Sequence, residues 1–140
     1  MLTRRSFARV LAIAPAIAGC VLRAETPSAT SLRGKLHAGD KPVLVLPDGR
    51  RAELSGDAET ELVLNDSRLD GIDFEVVGKW ESAQRFAINP MHLRAMFVHQ
   101  GGKRLFVTYW CDVCSIRTYT PGLCLCCRKE TDLDLRESLD

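Results

Sequence analysis

Five cysteines near the end of the 140-residue chain have the spacing of a metal site. Cys111 and Cys114 form one C-x-x-C pair and Cys124 and Cys127 form a second, with nine residues between the pairs and Cys126 inside the second one. Four thiolates from two such pairs make a closed tetrahedral site, which favours Zn²⁺ because this ion is redox-inert and accepts an all-sulfur ligand set. The spacing therefore predicts a structural zinc site at Cys111, Cys114, Cys124 and Cys127, with Cys126 as an alternate ligand or a free thiol.

Other chemistries are open to the same thiols. Disulfide bonding is typical of exported proteins, although five thiols in one cluster cannot all pair with each other. Iron held by four thiolates would make the segment an electron carrier, and Cys126 with one C-x-x-C pair would suit thiol redox or metal handling. Covalent c-type haem is excluded, because Ser115 stands where a C-x-x-C-H motif requires histidine.

The short spacer makes residues 111–128 resemble a zinc ribbon or the iron-binding knuckles of rubredoxin. Ser115 and Arg128 occupy the positions that follow each pair, where glycine is usual in such knuckles. The stretch 108–127, which begins Thr108-Tyr109-Trp110-Cys111, also resembles the ending of a group of exported bacterial proteins of uncharacterised function. This resemblance implies the architecture and the compartment, and it implies no activity.

The N-terminus has the pattern of an export signal. An apolar run at 10–18 follows a basic segment typical of twin-arginine signals, Thr3-Arg4-Arg5-Ser6-Phe7-Ala8-Arg9. We predict residues 1–24 as this signal and 25–31, which are small and polar, as a linker. Because the twin-arginine pathway exports folded proteins, the metal would be loaded in the reducing cytoplasm.

The processing site has competing candidates. Ala16-Ile17-Ala18 suits the ordinary peptidase and soluble release, with a poorer site at Leu22-Arg23-Ala24, whereas residues 17–20 resemble a lipobox that would lipidate Cys20. The apolar run is too short to cross a bilayer. We therefore predict a periplasmic or secreted protein, with a lipoprotein anchored at Cys20 as the alternative and no other membrane association.

Composition limits the class of partner. The net charge is +1, but four arginines lie in the predicted signal, so its removal leaves 15 basic against 18 acidic residues. A nucleic-acid-binding domain is expected to be basic. We predict a protein or small-molecule ligand and no nucleic acid. The sequence contains no phosphate loop, nucleophile elbow or zinc-protease motif, so an enzyme is the less favoured class.

Residues 32–110 alternate between short strands and turns. Ile72, Phe74, Val76 and Trp80 share one face of a predicted strand, and Gly78 interrupts that row where a bulge or tight bend is expected. Further strands are predicted at 32–37 and 85–88, and two hairpins at 43–54 and 94–110, the second turning at Gly101-Gly102. A short helix is predicted from Asp57 to about Leu69, closed by Gly71.

This order predicts a mainly β protein. Five to seven short strands with one small helix indicate a small antiparallel barrel similar to the oligonucleotide- and oligosaccharide-binding (OB) type, spanning 32–110. The cysteine segment 111–128 follows as a zinc-ribbon-like loop. The acidic residues of 129–140 are predicted to form a solvated, frayed terminus.

Overall fold

The computed structural model describes residues 28–140, so the predicted signal, its cleavage sites and Cys20 lie outside the described residues. Within that range the elements are β1 Thr30–His37, β2 Val43–Val45, β3 Arg51–Ser55, α1 Ala58–Leu64, β4 Asp73–Trp80, β5 Arg85–Ile88, β6 Met96–Gln100, β7 Lys103–Cys111, β8 Ile116–Thr118 and β9 Asp132–Arg136. Two 3-10 turns cover Ser67–Leu69 and Met91–Leu93. The first strand begins two residues before the predicted position, at Thr30 rather than Leu32.

Strands β1 to β5 close into a barrel. They pair in the order β1-β2-β3-β5-β4, and β4 returns to pair with β1. The β3–β5 pair is parallel and the other four pairs are antiparallel. With α1 connecting β3 to β4, this is the OB-like order, and the predicted fold class is confirmed.

The barrel interior is filled by residues with a period of two. Leu36, Leu44, Phe74, Val76 and Phe86 are completely buried, and each lies on the inward face of its strand. The helix adds its own buried side chains to the same core. Alternation of this kind lets a single sheet bury one face while the other meets water.

Gly78 is required by a close approach between strands. It is the last residue of β4 that pairs with β1, at Thr30, and the first that pairs with β5, at Ile88. A Cβ atom at this position would lie 1.9 Å from the carbonyl oxygen of Ala87. The structure therefore shows a tight contact at Gly78 that only glycine allows.

The helix is shorter than the sequence predicts. The Asp57 side chain caps it by accepting a hydrogen bond from the Thr60 N–H at 2.9 Å, as expected. It ends at Leu64, and Asp66 then caps a separate 3-10 turn by accepting from the Arg68 N–H. Two successive caps divide the predicted helix into two elements. None of the helices within 28–140 has the length and apolar character needed to cross a bilayer.

Four strands extend the barrel on one side. β6 pairs with β4 and with β7, and the β6–β7 turn uses Gly101 and Gly102 at φ values of 60° and 76°, as predicted for a primed turn. β8 and β9 lie on opposite edges of β7, because both pair with Tyr109. β7 is therefore the strand that leads from the barrel to the cysteine segment.

The prediction of a frayed acidic terminus was wrong for residues 132–136. They form β9, which pairs with Phe106–Trp110 of β7. Leu133 and Leu135 pack against the core, whereas Asp132 and Asp134 alternate with them along the strand. The burial of the two leucines and the ladder to β7 outweigh the tendency of the acidic side chains to stay solvated.

Candidate metal centre

The first cysteine pair lies in a tight connection between two strands. β7 ends at Cys111 and β8 begins at Ile116, so the C-x-x-C pair forms the turn of a hairpin. The Cys114 N–H donates to the Cys111 sulfur at a distance of 3.5 Å. Ser115 then adopts a φ of 55°, which redirects the chain into β8.

The second pair lies in a loop that is closed at its base. The Thr131 N–H donates to the Gly122 carbonyl at 3.0 Å, and the Cys124 N–H donates to the Lys129 carbonyl at 2.8 Å. The Arg128 N–H returns to the Cys124 carbonyl at 2.8 Å. These bonds fold 122–131 into a compact loop that presents its thiols towards the end of β7.

The structure brings together the four thiols that the sequence selects. The sulfurs of Cys111, Cys114, Cys124 and Cys127 all lie within 4.8 Å of one another, and those of Cys111 and Cys127 are 3.5 Å apart. Zn–S bonds of about 2.3 Å place tetrahedral sulfurs about 3.8 Å apart. An all-sulfur donor set at this spacing fits a thiophilic ion with little rearrangement.

Burial separates the ligand candidates from the extra thiol. Cys111 and Cys124 are buried and Cys114 and Cys127 are half-buried, whereas Cys126 is exposed and lies outside the group of four. The second arm that the geometry favours is therefore the C-x-x-C pair, with Cys126 at its rim.

The thiols differ in their readiness to ionise. The N–H groups of Cys127 and Cys126 hold the pKa of the Cys124 thiol at about 7, because they stabilise its thiolate. Hydrogen bonding with Cys126, followed by burial, raises the pKa of Cys114. For Cys111 the N–H of Cys114 favours the thiolate, but burial and the neighbouring thiols outweigh it and raise the pKa. Of these three thiols, Cys124 is therefore the one most readily ionised at neutral pH, and a metal ion binds the thiolate form.

The two knuckles have the same backbone shape. Ser115 and Arg128, which follow the last cysteine of each pair, adopt φ values of 55° and 62°. This is the left-handed region that glycine occupies at little cost and that other residues adopt with strain. The sequence departs from glycine at these positions, yet the chain takes the conformation that glycine would favour.

Ser115→Gly is expected to stabilise the protein. Relief of the left-handed strain should raise the free energy of unfolding by about 1 kcal/mol, offset in part by the added freedom of the unfolded chain. Urea unfolding of the metal-loaded protein measures the change. Ser115→Ala is the matched control because it retains a Cβ, and it should not stabilise. A glycine variant less stable than the alanine variant would contradict the proposed strain.

A partly buried polar network joins the cysteine segment to the barrel. The Tyr109 hydroxyl, two residues before Cys111, donates to the Asp66 carboxylate at 2.8 Å. Arg68 donates to the same carboxylate at 3.0 Å and to the Thr131 carbonyl at 2.9 Å. Burial and the bond to Asp66 raise the pKa of Tyr109, so its phenol stays protonated. Burial would raise the pKa of Asp66, but the bonds from Arg68 and Tyr109 outweigh it and lower that pKa.

The aromatic residues beside the cysteines, Tyr109, Trp110 and Tyr119, make different contacts. Tyr109 is fully buried in the core. Arg117 lies over the Trp110 ring at 5.1 Å, and Arg94 lies over the Tyr119 ring at 4.8 Å. The three rings therefore do not form one stacking patch, and packing explains Tyr109.

A second polar cluster surrounds Glu75 on the outer face of β4. Its carboxylate accepts hydrogen bonds from the Ser31 hydroxyl at 2.6 Å and from Arg104 at 2.8 Å, and lies 2.7 Å from Nε2 of His99. A nucleophilic triad requires the base to contact the hydroxyl. Here Glu75 stands between Ser31 and His99, so the cluster is arranged to hold strands together.

Glu75→Gln is expected to lower the free energy of unfolding by about 2 kcal/mol at pH 7. Burial would raise the pKa of the Glu75 carboxyl, but the bonds from Ser31, His99 and Arg104 outweigh it and lower that pKa. A lowered carboxyl pKa contributes stability above the unfolded pKa, and this contribution is lost as pH falls through the folded value.

Urea unfolding of both proteins between pH 7 and pH 3 tests this dependence. The difference between wild type and Glu75→Gln should shrink once the pH falls below the ordinary value of 4.5 for this carboxyl. Glu81→Gln, on the exposed connection after β4, is the control and should change little. A difference that stays constant across this range would show that the Glu75 charge is not the source of the stability.

Comparison with known proteins yields no match among protein-family models, curated proteins or solved structures. The likeness of 108–127 to the ending of an exported bacterial group therefore stays a prediction. The site rests on its own geometry.

Proposed function

We propose that this chain is an exported binding or accessory module whose OB-like barrel carries the ligand surface and whose cysteine segment is held by one structural Zn²⁺. The observation that carries the proposal is the convergence of four thiols, from two knuckles of the same backbone shape, to within 4.8 Å. A closed four-thiolate site has no open position for substrate, which favours a structural role.

The metal would stabilise elements that have few other means of staying folded. Cys111 and Cys114 join β7 to β8, and Cys124 and Cys127 belong to a loop without regular secondary structure. The connection 112–131 exposes several apolar side chains, among them Leu123 and Leu125. Because this segment buries little of its own surface, metal binding would supply much of its folding free energy.

The ligand surface that we propose is a groove on the barrel. OB-type barrels bind ligands across strands 2 and 3 and the adjoining loops. Here a cavity of about 1030 Å³ lies between the β1–β2 loop, β3 and the β4–β5 loop. The charged side chains that line it are equally divided between basic and acidic, namely Lys41, Arg51, Arg85, Asp40, Glu53 and Glu61.

The character of the groove limits its ligand. Balanced charge gives no attraction for a polyanion, and none of the described residues that line the groove is aromatic. Proteins that bind single-stranded nucleic acid need a basic groove with rings for base stacking. An uncharged polar ligand, such as an oligosaccharide or an extended peptide, fits this lining better than nucleic acid does.

One observation favours the alternative of thiol redox or metal handling. Cys126 is exposed, and its thiol is near enough to that of Cys114 to raise the pKa of Cys114. In that function Cys126 would exchange disulfides or pass a metal to the cluster, with iron as the alternative ion for electron transfer. Cys111 and Cys124, one from each C-x-x-C pair, are buried. Their burial and the closed four-thiol geometry favour the structural role.

Elemental analysis of the purified protein, with thiol counting under denaturing conditions, tests the metal proposal. We expect one equivalent of zinc and five titratable thiols in the cluster, with four protected until a chelator is added and Cys126 reactive throughout. One equivalent of iron would support electron transfer instead. Metal-free protein with its thiols oxidised in pairs would overturn the structural zinc site.

Export is tested separately. We propose that residues 1–24 direct the chain through the twin-arginine pathway to the periplasm or beyond, with lipidation at Cys20 as the alternative. Intact mass of the mature protein distinguishes cleavage after Ala18 from lipidated Cys20. Replacing Arg4 and Arg5 by lysine should retain the protein in the cytoplasm, and unchanged export would contradict this pathway.

A further inference from the structure

We propose that a second cavity, between the barrel and the cysteine segment, binds a small amphipathic monocarboxylate. The cavity has a volume of about 490 Å³, within the size range of small-molecule pockets. Apolar residues from four elements line it: Val63 of α1, Met91 of the second 3-10 turn, Met96 of β6 and Val107 of β7. This lining fits a hydrocarbon or aromatic body.

Arg94 supplies the charge that the ligand would satisfy. Its guanidinium lies over the Tyr119 ring at 4.8 Å, and both residues line the cavity. Within 28–140 no carboxylate lies within salt-bridge distance of Arg94, whereas most arginines of the same range have such a partner. A guanidinium offers paired N–H donors that match a carboxylate. A guanidinium held over an aromatic ring can still donate its N–H groups to an anion.

The backbone at Arg94 is strained to place this side chain. Its φ and ψ of 53° and 67° lie in the left-handed region, where glycine is the favoured residue. Strain of this kind at a residue lining a pocket is typical of functional sites. Glycine would make the same turn more stable but would remove the guanidinium.

The rim determines which anions fit. His92 lies beside Arg94 and adds a ring N–H donor, whereas Glu59 lines the same cavity with a negative charge. A ligand with a second carboxylate would meet Glu59, so a single negative charge is favoured over two. The chemistry therefore favours one carboxylate at Arg94 and an apolar body against Met91 and Phe106, the half-buried apolar residues of the lining.

The cysteine segment forms one wall of this cavity. Thr118, Tyr119 and Thr120 line it, and they lie between Cys114 and Cys124 in the chain. The wall needs the folded segment, whether zinc or another link holds the thiols. Failure of the zinc assay would therefore leave this inference standing, and failure of ligand binding would leave the metal site standing.

Isothermal titration of the full purified protein with decanoate, decanol and decanedioate tests the inference. We expect saturable 1:1 binding of decanoate, at least tenfold tighter than that of decanol or decanedioate. Arg94→Gly should weaken decanoate binding at least tenfold while the melting temperature rises. Arg94→Gln should weaken binding equally without that rise, because it keeps the left-handed strain.

Arg50→Gln is the matched control, since it removes one exposed arginine that lines neither cavity. It should bind decanoate as tightly as wild type. Equal binding of decanol and decanoate, or retained binding in both Arg94 variants, would overturn the anion site. Absence of saturable decanoate binding would overturn the inference as a whole.

Discussion

Cys111→Ser is expected to abolish metal binding and to destabilise residues 111–131 together with the barrel. Serine cannot replace a thiolate ligand at neutral pH, so the tetrahedral set is left incomplete. We expect the free energy of unfolding to fall by about 3 kcal/mol or more, which for a domain of this size lowers the melting temperature by roughly 10 °C or more. Calorimetry and metal analysis of the variant measure both effects.

Cys126→Ser is the matched control for this experiment. It makes the same change of sulfur to oxygen two residues after Cys124, but at an exposed side chain outside the group of four. Metal content and melting temperature should stay close to those of wild type. Equal damage from both variants would show that Cys126 is a ligand and would overturn the assignment of Cys127.

The Cys111→Ser substitution should also destabilise the barrel. Cys111 is the last residue of β7, and Tyr109 of the same strand donates a hydrogen bond to Asp66. Arg68 donates a second hydrogen bond, to the Thr131 carbonyl at the end of the cysteine segment. Loss of the metal would loosen Thr131 and expose the buried hydrogen bond from Tyr109 to Asp66. Buried networks are costly when only part of their bonds are made. We therefore expect one cooperative transition rather than separate melting of the segment.

Local patterns explain how much of this structure is predictable from sequence. The barrel follows from period-two strands, and the Gly101-Gly102 turn follows from a backbone preference within two residues. The four ligand candidates follow from C-x-x-C spacing, which fixes each pair within one turn of chain. In each case the determining residues are close neighbours in sequence.

Contacts between distant residues were not predictable in the same way. Glu75 bonds to Ser31 and His99, and Arg68 bonds to Thr131, across 24 to 63 positions. Nothing in a single sequence pairs such residues before the topology is known. The β9 strand did have a local signal, the alternation of Asp and Leu in 132–135, but its acidic residues favoured a solvated end.

Gly78→Ala is expected to prevent normal closure of the barrel. The added Cβ would lie 1.9 Å from the Ala87 carbonyl oxygen and 2.9 Å from the Ile88 Cα, and both are backbone atoms that cannot rotate away. β4 and β5 would have to separate, which would open the barrel between these two strands. We expect a loss of about 3 kcal/mol or more in the free energy of unfolding, since overpacking that moves backbone is among the costliest substitutions.

Gly49→Ala is the control that separates this clash from the cost of losing glycine. Gly49 has a φ of 87°, and no atom lies within 4 Å of the position that a Cβ would occupy, so its replacement introduces backbone strain without a clash. We expect a loss of about 1 kcal/mol there. Urea unfolding of both variants compares the two losses in the free energy of unfolding. If Gly78→Ala costs no more than Gly49→Ala, β5 can shift to accommodate a methyl group, and the close approach at Gly78 is not what closes the barrel.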